Sequence, residues 1–196
     1  MLPSVDAHKP RGPAKCLRYA DERSGIRDGD IILFRGESPI SRVIRSATGS
    51  NYSHAGLASW WRDRLMVLEA QSAGVVAAPL SRVVSLYDGR LELWTTDDEL
   101  ERDEVIGAAK LELGKKYAIW GLARGLRKVL VGVGLEPDPW KPPEKFICSQ
   151  YVSYAWRAGG IDLAMGSSDE FTTPEDIANA PQLRQVGRLS VDGLAD

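Results

Sequence analysis

The chain has 196 residues, 43% of them apolar and 27% charged, enough for one domain whose core needs no disulfide or metal to hold it. Its 25 Lys and Arg against 27 Asp and Glu leave a net charge of −2, so no global basic field marks a nucleic-acid binder. The two cysteines, Cys16 and Cys148, make neither a disulfide framework nor a CxxC pair, which argues against structural zinc.

Residues 1–15 hold three prolines and few apolar side chains and read as a flexible tail; residues 16–196 read as a single domain. No apolar run resembles a signal peptide and none is long enough to span a bilayer, so a cytoplasmic location is expected. A short helix is expected around Ala14–Arg23, then a turn at Asp28–Asp30 and a buried strand, Ile31–Phe34. Ser38 and Pro39 open a helix with Ile40, Val43, Ile44 and Ala47 as its apolar stripe. "SHAGLASWW" and "RLMVLEAQS" read as adjacent strands, "GVVAAPL" as a third, and "GRLELWTT" as a clearer one. From Asp97 to Leu113 the period becomes helical, with Leu100, Val105, Ala108, Ala109 and Leu113 on one side.

A basic amphipathic segment, Tyr117–Leu130, and the loop "GLEPDPWKPPEK" lead to a helix beginning near Cys148 and stopped by Gly159 and Gly160. Thr173, Pro174 and Asp176 match the pattern of a capped helix start, and "LRQVGRL" is expected as a last, edge strand. The order of elements predicts an α+β fold with an antiparallel sheet.

A cysteine nucleophile needs a base, and the histidines are two: His8, in the tail, and His54, at the head of an apolar strand. Cys148 falls at a helix start, where unpaired N–H groups and the helix dipole favour a thiolate. Only Cys148 with His54 places both partners on rigid elements. Cys148 also shares an apolar helix face with Tyr151, Val152 and Ala155, so a small core cysteine fits the spacing too. Composition and spacing leave both readings open.

The ordered set "GDIILFRG", "NYSHAGLA", "VLEAQSAGVVAAPL", "GKKYAIWG", "FICSQYVSYAWRAGGIDL" and "TTPEDIA" resembles the permuted NlpC-like cysteine hydrolases of the papain fold, the YiiX/YebB-like group. The resemblance implies a permuted papain-like fold in which His54 is the base, Glu69 its polar partner and Cys148 the nucleophile. It also implies a cysteine amidase or peptidase acting on a small peptide, such as a cell-wall peptide. Tyr117 of "GKKY" is the candidate for lining the substrate site. Where that group commonly has glutamate two positions after the cysteine, this chain has Gln150, which keeps the shape and drops the charge.

If "SHAGL" and "VLEA" pair antiparallel, Glu69 falls opposite His54, or opposite Leu57 if the turn is tight at Arg62–Arg64. Gln71, on the same strand face, is the reserve orienting residue. Two other functions stay open. One is a lipid acyltransferase or thioesterase using the same residues, with Tyr117–Leu130 in peripheral contact with a membrane. The other is a silent module that binds an amino acid or peptide. Trp60, Trp61 and Trp140 are candidates for lining a cleft. No Gly-rich nucleotide motif or spaced metal-ligand set appears, so no cofactor and no metal are expected.

Overall fold

The computed structural model describes residues 14–117, 145–163, 169 and 172–193. Their strands are β1 (Cys16–Arg18), β2 (Ile31–Gly36), β3 (His54–Trp61), β4 (Arg64–Gln71), β5 (Gly74–Pro79), β6 (Gly89–Thr95), β7 (Lys116–Tyr117), β8 (Lys145–Phe146) and β9 (Arg184–Ser190). The helices are α1 (Tyr19–Glu22), α2 (Pro39–Thr48), α3 (Leu80–Leu86), α4 (Arg102–Leu111), α5 (Cys148–Ala158) and α6 (Pro174–Asn179). Seven strands form one sheet in the order β1-β9-β6-β2-β3-β4-β5, and β7 pairs with β8 as a separate parallel ribbon. The fold is α+β, as expected.

Every pair in the large sheet is antiparallel except β1 with β9. The expected edge position of "LRQVGRL" is therefore wrong: β9 lies inside the sheet, flanked by β1 and β6. Residues Ala14–Arg23 are not one helix either. Cys16–Arg18 is a strand, and only Tyr19–Glu22 is α-helical before a 3₁₀ turn at Arg23–Gly25. In both cases a short apolar segment took its conformation from a strand neighbour far along the chain, which local pattern does not carry.

Side chains alternate across the sheet, giving two apolar layers. Ile31, Leu33, Ala55, Leu57, Leu68 and Ala70 face Tyr151, Val152, Ala155 and Trp156 of α5, and Val105 and Ala109 of α4. Ile32, Phe34, Ala58, Val67, Leu91 and Leu93 form the opposite layer, closed by Leu80 of α3. Polar ties lock the first layer in place. The Tyr151 hydroxyl donates to the Ala109 carbonyl at 2.8 Å, and the Trp156 indole donates to the Gly29 carbonyl at 2.9 Å.

Two sequence-level helix starts are as expected. Ser38 Oγ accepts from the Ser41 N–H, with Pro39 at the first position of α2. Thr173 and Asp176 exchange hydrogen bonds at the head of α6. The stop of α5 divides between its glycines. Gly160 takes the left-handed φ of 91°, whereas a Cβ on Gly159 would meet Val105 Cγ2 at 2.4 Å and the Glu101 carbonyl at 3.0 Å. The apolar stripe of α2 is not uniformly covered: Ile40 and Val43 are exposed, and Ile44 is half-buried. Among the described residues no helix is long and apolar enough to cross a membrane.

Replacing Tyr151 by phenylalanine keeps the packing volume and removes the hydroxyl that ties α5 to α4. Urea denaturation should show a loss of about 1 kcal/mol, the usual size of one buried hydrogen bond, with an unchanged circular-dichroism spectrum.

Candidate active site

β3 begins where the loop after α2 ends. Gly49 closes α2 in the left-handed region at φ 62°, and the Ser53 N–H bonds the Phe34 carbonyl at 2.8 Å, extending the β2 ladder by one step. His54 is thus placed directly opposite Phe34, whose ring meets the imidazole edge-on at 4.9 Å. Tyr87 closes on the same Phe34 ring at 5.1 Å, and its hydroxyl bonds the Ser53 side chain beside Glu69.

The turn at Arg62 and Asp63 is tighter than either alternative considered from sequence, with Arg62 in the left-handed region at φ 58°. It sets Trp61 opposite Arg64 and Glu69 opposite Gly56, so neither His54 nor Leu57 is the partner of Glu69. Gly56 is two residues from His54 and so shares its face. With no side chain there, the Glu69 carboxylate leans diagonally across the strand and accepts from His54 Nε2 at 2.7 Å. The space is already full: a Cβ on Gly56 would meet Val67 Cγ2 at 2.8 Å and Glu69 Cβ at 3.3 Å. Gln71, the reserve, is exposed at the strand end opposite Gly74 and takes no part.

Cys148 is the first residue of α5, following Ile147 in extended conformation. Its side chain is buried, at 7% exposure, so it is a core cysteine by burial and yet stands at the helix start. The sheet separates α5 from the His54 side chain by face, and the two meet around the head of β3. There the thiol lies beside the imidazole, close enough for the His54 charge and the backbone N–H groups of Ala55 and Ser149 to act on it. With Nε2 given to Glu69, Nδ1 is the ring nitrogen left for sulfur.

The three side chains form one chain of charge. Burial pushes the Cys148 thiol up, but the His54 charge, the hydrogen bond to it and the Ala55 and Ser149 N–H groups outweigh burial and hold it below its ordinary value. Burial alone would lower the His54 pKa. The adjacent thiolate and the Glu69 carboxylate reverse that and push it up to about 10. Glu69 itself is only 2% exposed, and a carboxylate that dry needs such a partner. The His54 ring, at 20%, is the member open to solvent.

Gln150 has a clear role: its Oε1 accepts the Ile147 N–H at 3.4 Å, holding the extended residue before Cys148. A glutamate could make the same bond, so the departure at this position leaves the helix start intact. Tyr117 lies in β7 opposite Phe146, which puts its backbone two positions from Cys148 in the paired strand's register. Trp60 and Trp61 do not line a cleft near these residues, since they end β3 roughly 20 Å from His54. The Trp60 indole donates to the Ile26 carbonyl, and Lys110 sits over the Trp61 ring. Trp140 and most of Tyr117–Leu130 lie outside the described residues. Phe34, Ser53, Tyr87 and Glu175 complete the surroundings without having been legible as site residues, because each arrives from an element whose register only the fold sets.

No protein-family profile matches the chain, and no curated protein matches it. Among solved structures it is similar to the metalloprotein YiiX of Escherichia coli O157:H7, DUF1105, at a TM-score of 0.62 and 20% identity, over 83% of this chain and 97% of YiiX. The likeness is one of fold: a YiiX-like α+β architecture.

The two pKa shifts have opposite signs in stability. The His54 contribution is complete below its ordinary value of about 6.5 and lost as pH rises through about 10. The Cys148 contribution is complete above about 8.5 and lost as pH falls through its lowered pKa. The slopes cancel between, so stabilisation by the pair should be flat and greatest between about pH 6.5 and 8.5. Urea midpoints of the native protein minus those of a Cys148→Ser, His54→Asn double variant check this across pH 5 to 10. A difference that keeps growing above pH 9 would contradict it.

Proposed function

We propose that the protein is a cysteine-dependent hydrolase of the permuted papain-like type, cleaving an amide bond in a small peptide. The observation that carries this reading is the grouping of three side chains: His54 bonded to Glu69 at 2.7 Å and set beside the Cys148 thiol, whose pKa is lowered as that of the imidazole is raised. A thiol held as thiolate inside the protein, with a charged proton donor in contact, is what acyl transfer requires. The order of the residues along the chain, base first and nucleophile last on a helix against an antiparallel sheet, supports the permuted arrangement.

In the first half-reaction the Cys148 thiolate adds to the carbonyl carbon, forming the C–S bond and an oxyanion. The Cys148 N–H, at the first helix position where no intrahelical acceptor exists, is a donor for that oxygen. The C–N bond then breaks, and the amine leaves with the proton from His54 Nδ1. In the second half, neutral His54 takes a proton from water as it attacks the thioester. The acid product departs and the ion pair is restored. Glu69 holds the ring by Nε2 throughout, fixing the tautomer and stabilising the imidazolium.

YiiX is called a metalloprotein. In this chain no three His, Cys, Asp or Glu side chains among the described residues are grouped so as to hold a metal ion. His54 Nε2 is occupied by Glu69, and the three site residues bond in series rather than converging on one point. They do not fit a metal centre, and no step above runs through one. The lipid reading rested on a segment that is almost wholly outside the described residues, and a passive binding pocket would give no reason for a charged thiol–imidazole pair.

Incubation with a panel of small peptides and amides, with products read by mass spectrometry, should reveal cleavage and an acyl adduct on Cys148. Cys148→Ser should abolish both while the variant keeps the circular-dichroism spectrum of the native protein. A folded protein that turns over no member of the panel and acquires no adduct from activated esters would sink the proposal.

A further inference from the structure

The thiol and the imidazole sit on elements remote in sequence, packed through apolar layers that resist separation but give little directional control. One short segment touches the approach to both. The Ser149 hydroxyl, on the residue next to Cys148, donates to the Thr172 carbonyl. Three positions further along, Glu175 is buried at 7% exposure. It accepts the Asn51 N–H at 2.7 Å, the Asn51 side-chain amide at 3.3 Å and the Ser50 hydroxyl at 3.4 Å. Ser50 Oγ in turn accepts the Tyr52 N–H at 2.9 Å, tightening the loop that runs into His54. Between the two anchor points the chain has little freedom, because Pro174 fixes its own φ and Thr173 and Asp176 cap each other.

We infer that Glu175 is a positioning residue: with Thr172 it forms a brace from the head of the nucleophile helix to the loop before His54, and so sets the sulfur–imidazole geometry. Glu175 touches neither reacting group, and the charge on its carboxylate suits a cluster of three donors, two of them belonging to the loop backbone residue Asn51. The inference rests on the thiolate–imidazolium reading of the site. A brace of this kind matters because misplacement by about 1 Å can cost roughly a hundredfold in rate.

Iodoacetamide alkylation of Cys148, followed against pH, reads the geometry without needing a substrate. In the native protein the alkylation midpoint should lie below the ordinary thiol value of about 8.5. Glu175→Ala should move that midpoint upward and slow alkylation at pH 6.5 by about tenfold, a fraction of the full misplacement effect. Glu175→Gln, which retains an acceptor for the Asn51 N–H, should recover part of it. Ser149→Ala, cutting the other end, should shift the profile the same way if Glu175→Ala fails to fold. Thr95→Val is the control, since it removes the buried hydroxyl bond to Asp30 on elements outside the brace, and it should lower stability while leaving the profile in place. If the native midpoint is low but Glu175→Ala and Ser149→Ala both reproduce it, the brace is overturned and the thiolate reading stands. If the native midpoint is itself near 8.5, the thiolate reading falls and the brace with it.

Discussion

A carboxylate with 2% exposure in the middle of a sheet is the constraint around which this structure is arranged. Leaving Glu69 charged and unpaired there would cost several kcal/mol, and the imidazole of His54 is the group that removes the cost. The pairing works in the other direction as well, since it keeps the imidazole charged in a site that burial would otherwise render neutral. The charged ring in turn holds the thiol pKa below its ordinary value. Each member therefore owes its state to the next, and the sheet register that brings Glu69 past Gly56 underlies all three.

The architecture makes this contact by using both sides of the sheet. His54 and Glu69 share the face of Phe34, Ala58 and Val67, whereas α5 covers the face of Ala55 and Leu57. Cys148 reaches the imidazole only because it heads its helix and His54 heads its strand. One turn later in α5, the side chain would be among Tyr151 and Val152 in the sealed layer. Burial and a lowered thiol pKa are compatible at this place: the helix start supplies N–H groups that a mid-helix position would have spent on the backbone.

Much of this could be read from residues alone. The strands from Ile31 to Gln71 announced themselves as apolar runs between turns, and the starts of α2 and α6 by Ser38–Pro39 and Thr173–Pro174; elimination left Cys148 with His54 as the pair on rigid elements, and the family resemblance implied its role. The failures share a physical origin. The register of Glu69 depended on whether the turn at Arg62 adopts a left-handed backbone, which arginine rarely announces. The interior position of β9 depended on β1, a strand too short to have a pattern of its own. Periodicity marked the apolar stripe of α2, but Ile40 and Val43 face outward, because amphipathicity says which face differs and not what will cover it. Glu175 looked like an ordinary acidic residue in a helix's first turn, and only the folded chain brings Asn51 to it.

The parallel pairing of β1 with β9 has a further consequence for how the chain assembles. Among the described residues β1 has no strand neighbour other than β9, so Cys16–Arg18 must wait for residues 188–190, far along the chain, before they can join the sheet. Until then Leu17, buried in the finished protein, has no layer to enter, and the flank of β6 that β9 covers is an open sheet edge. Closure of such a distant contact is slow compared with the β2–β3–β4–β5 meander, whose neighbours follow one another along the chain. The hairpins carrying His54 and Glu69 can thus form early, while the nascent chain still exposes an unpaired strand to any chaperone or sister chain that meets it.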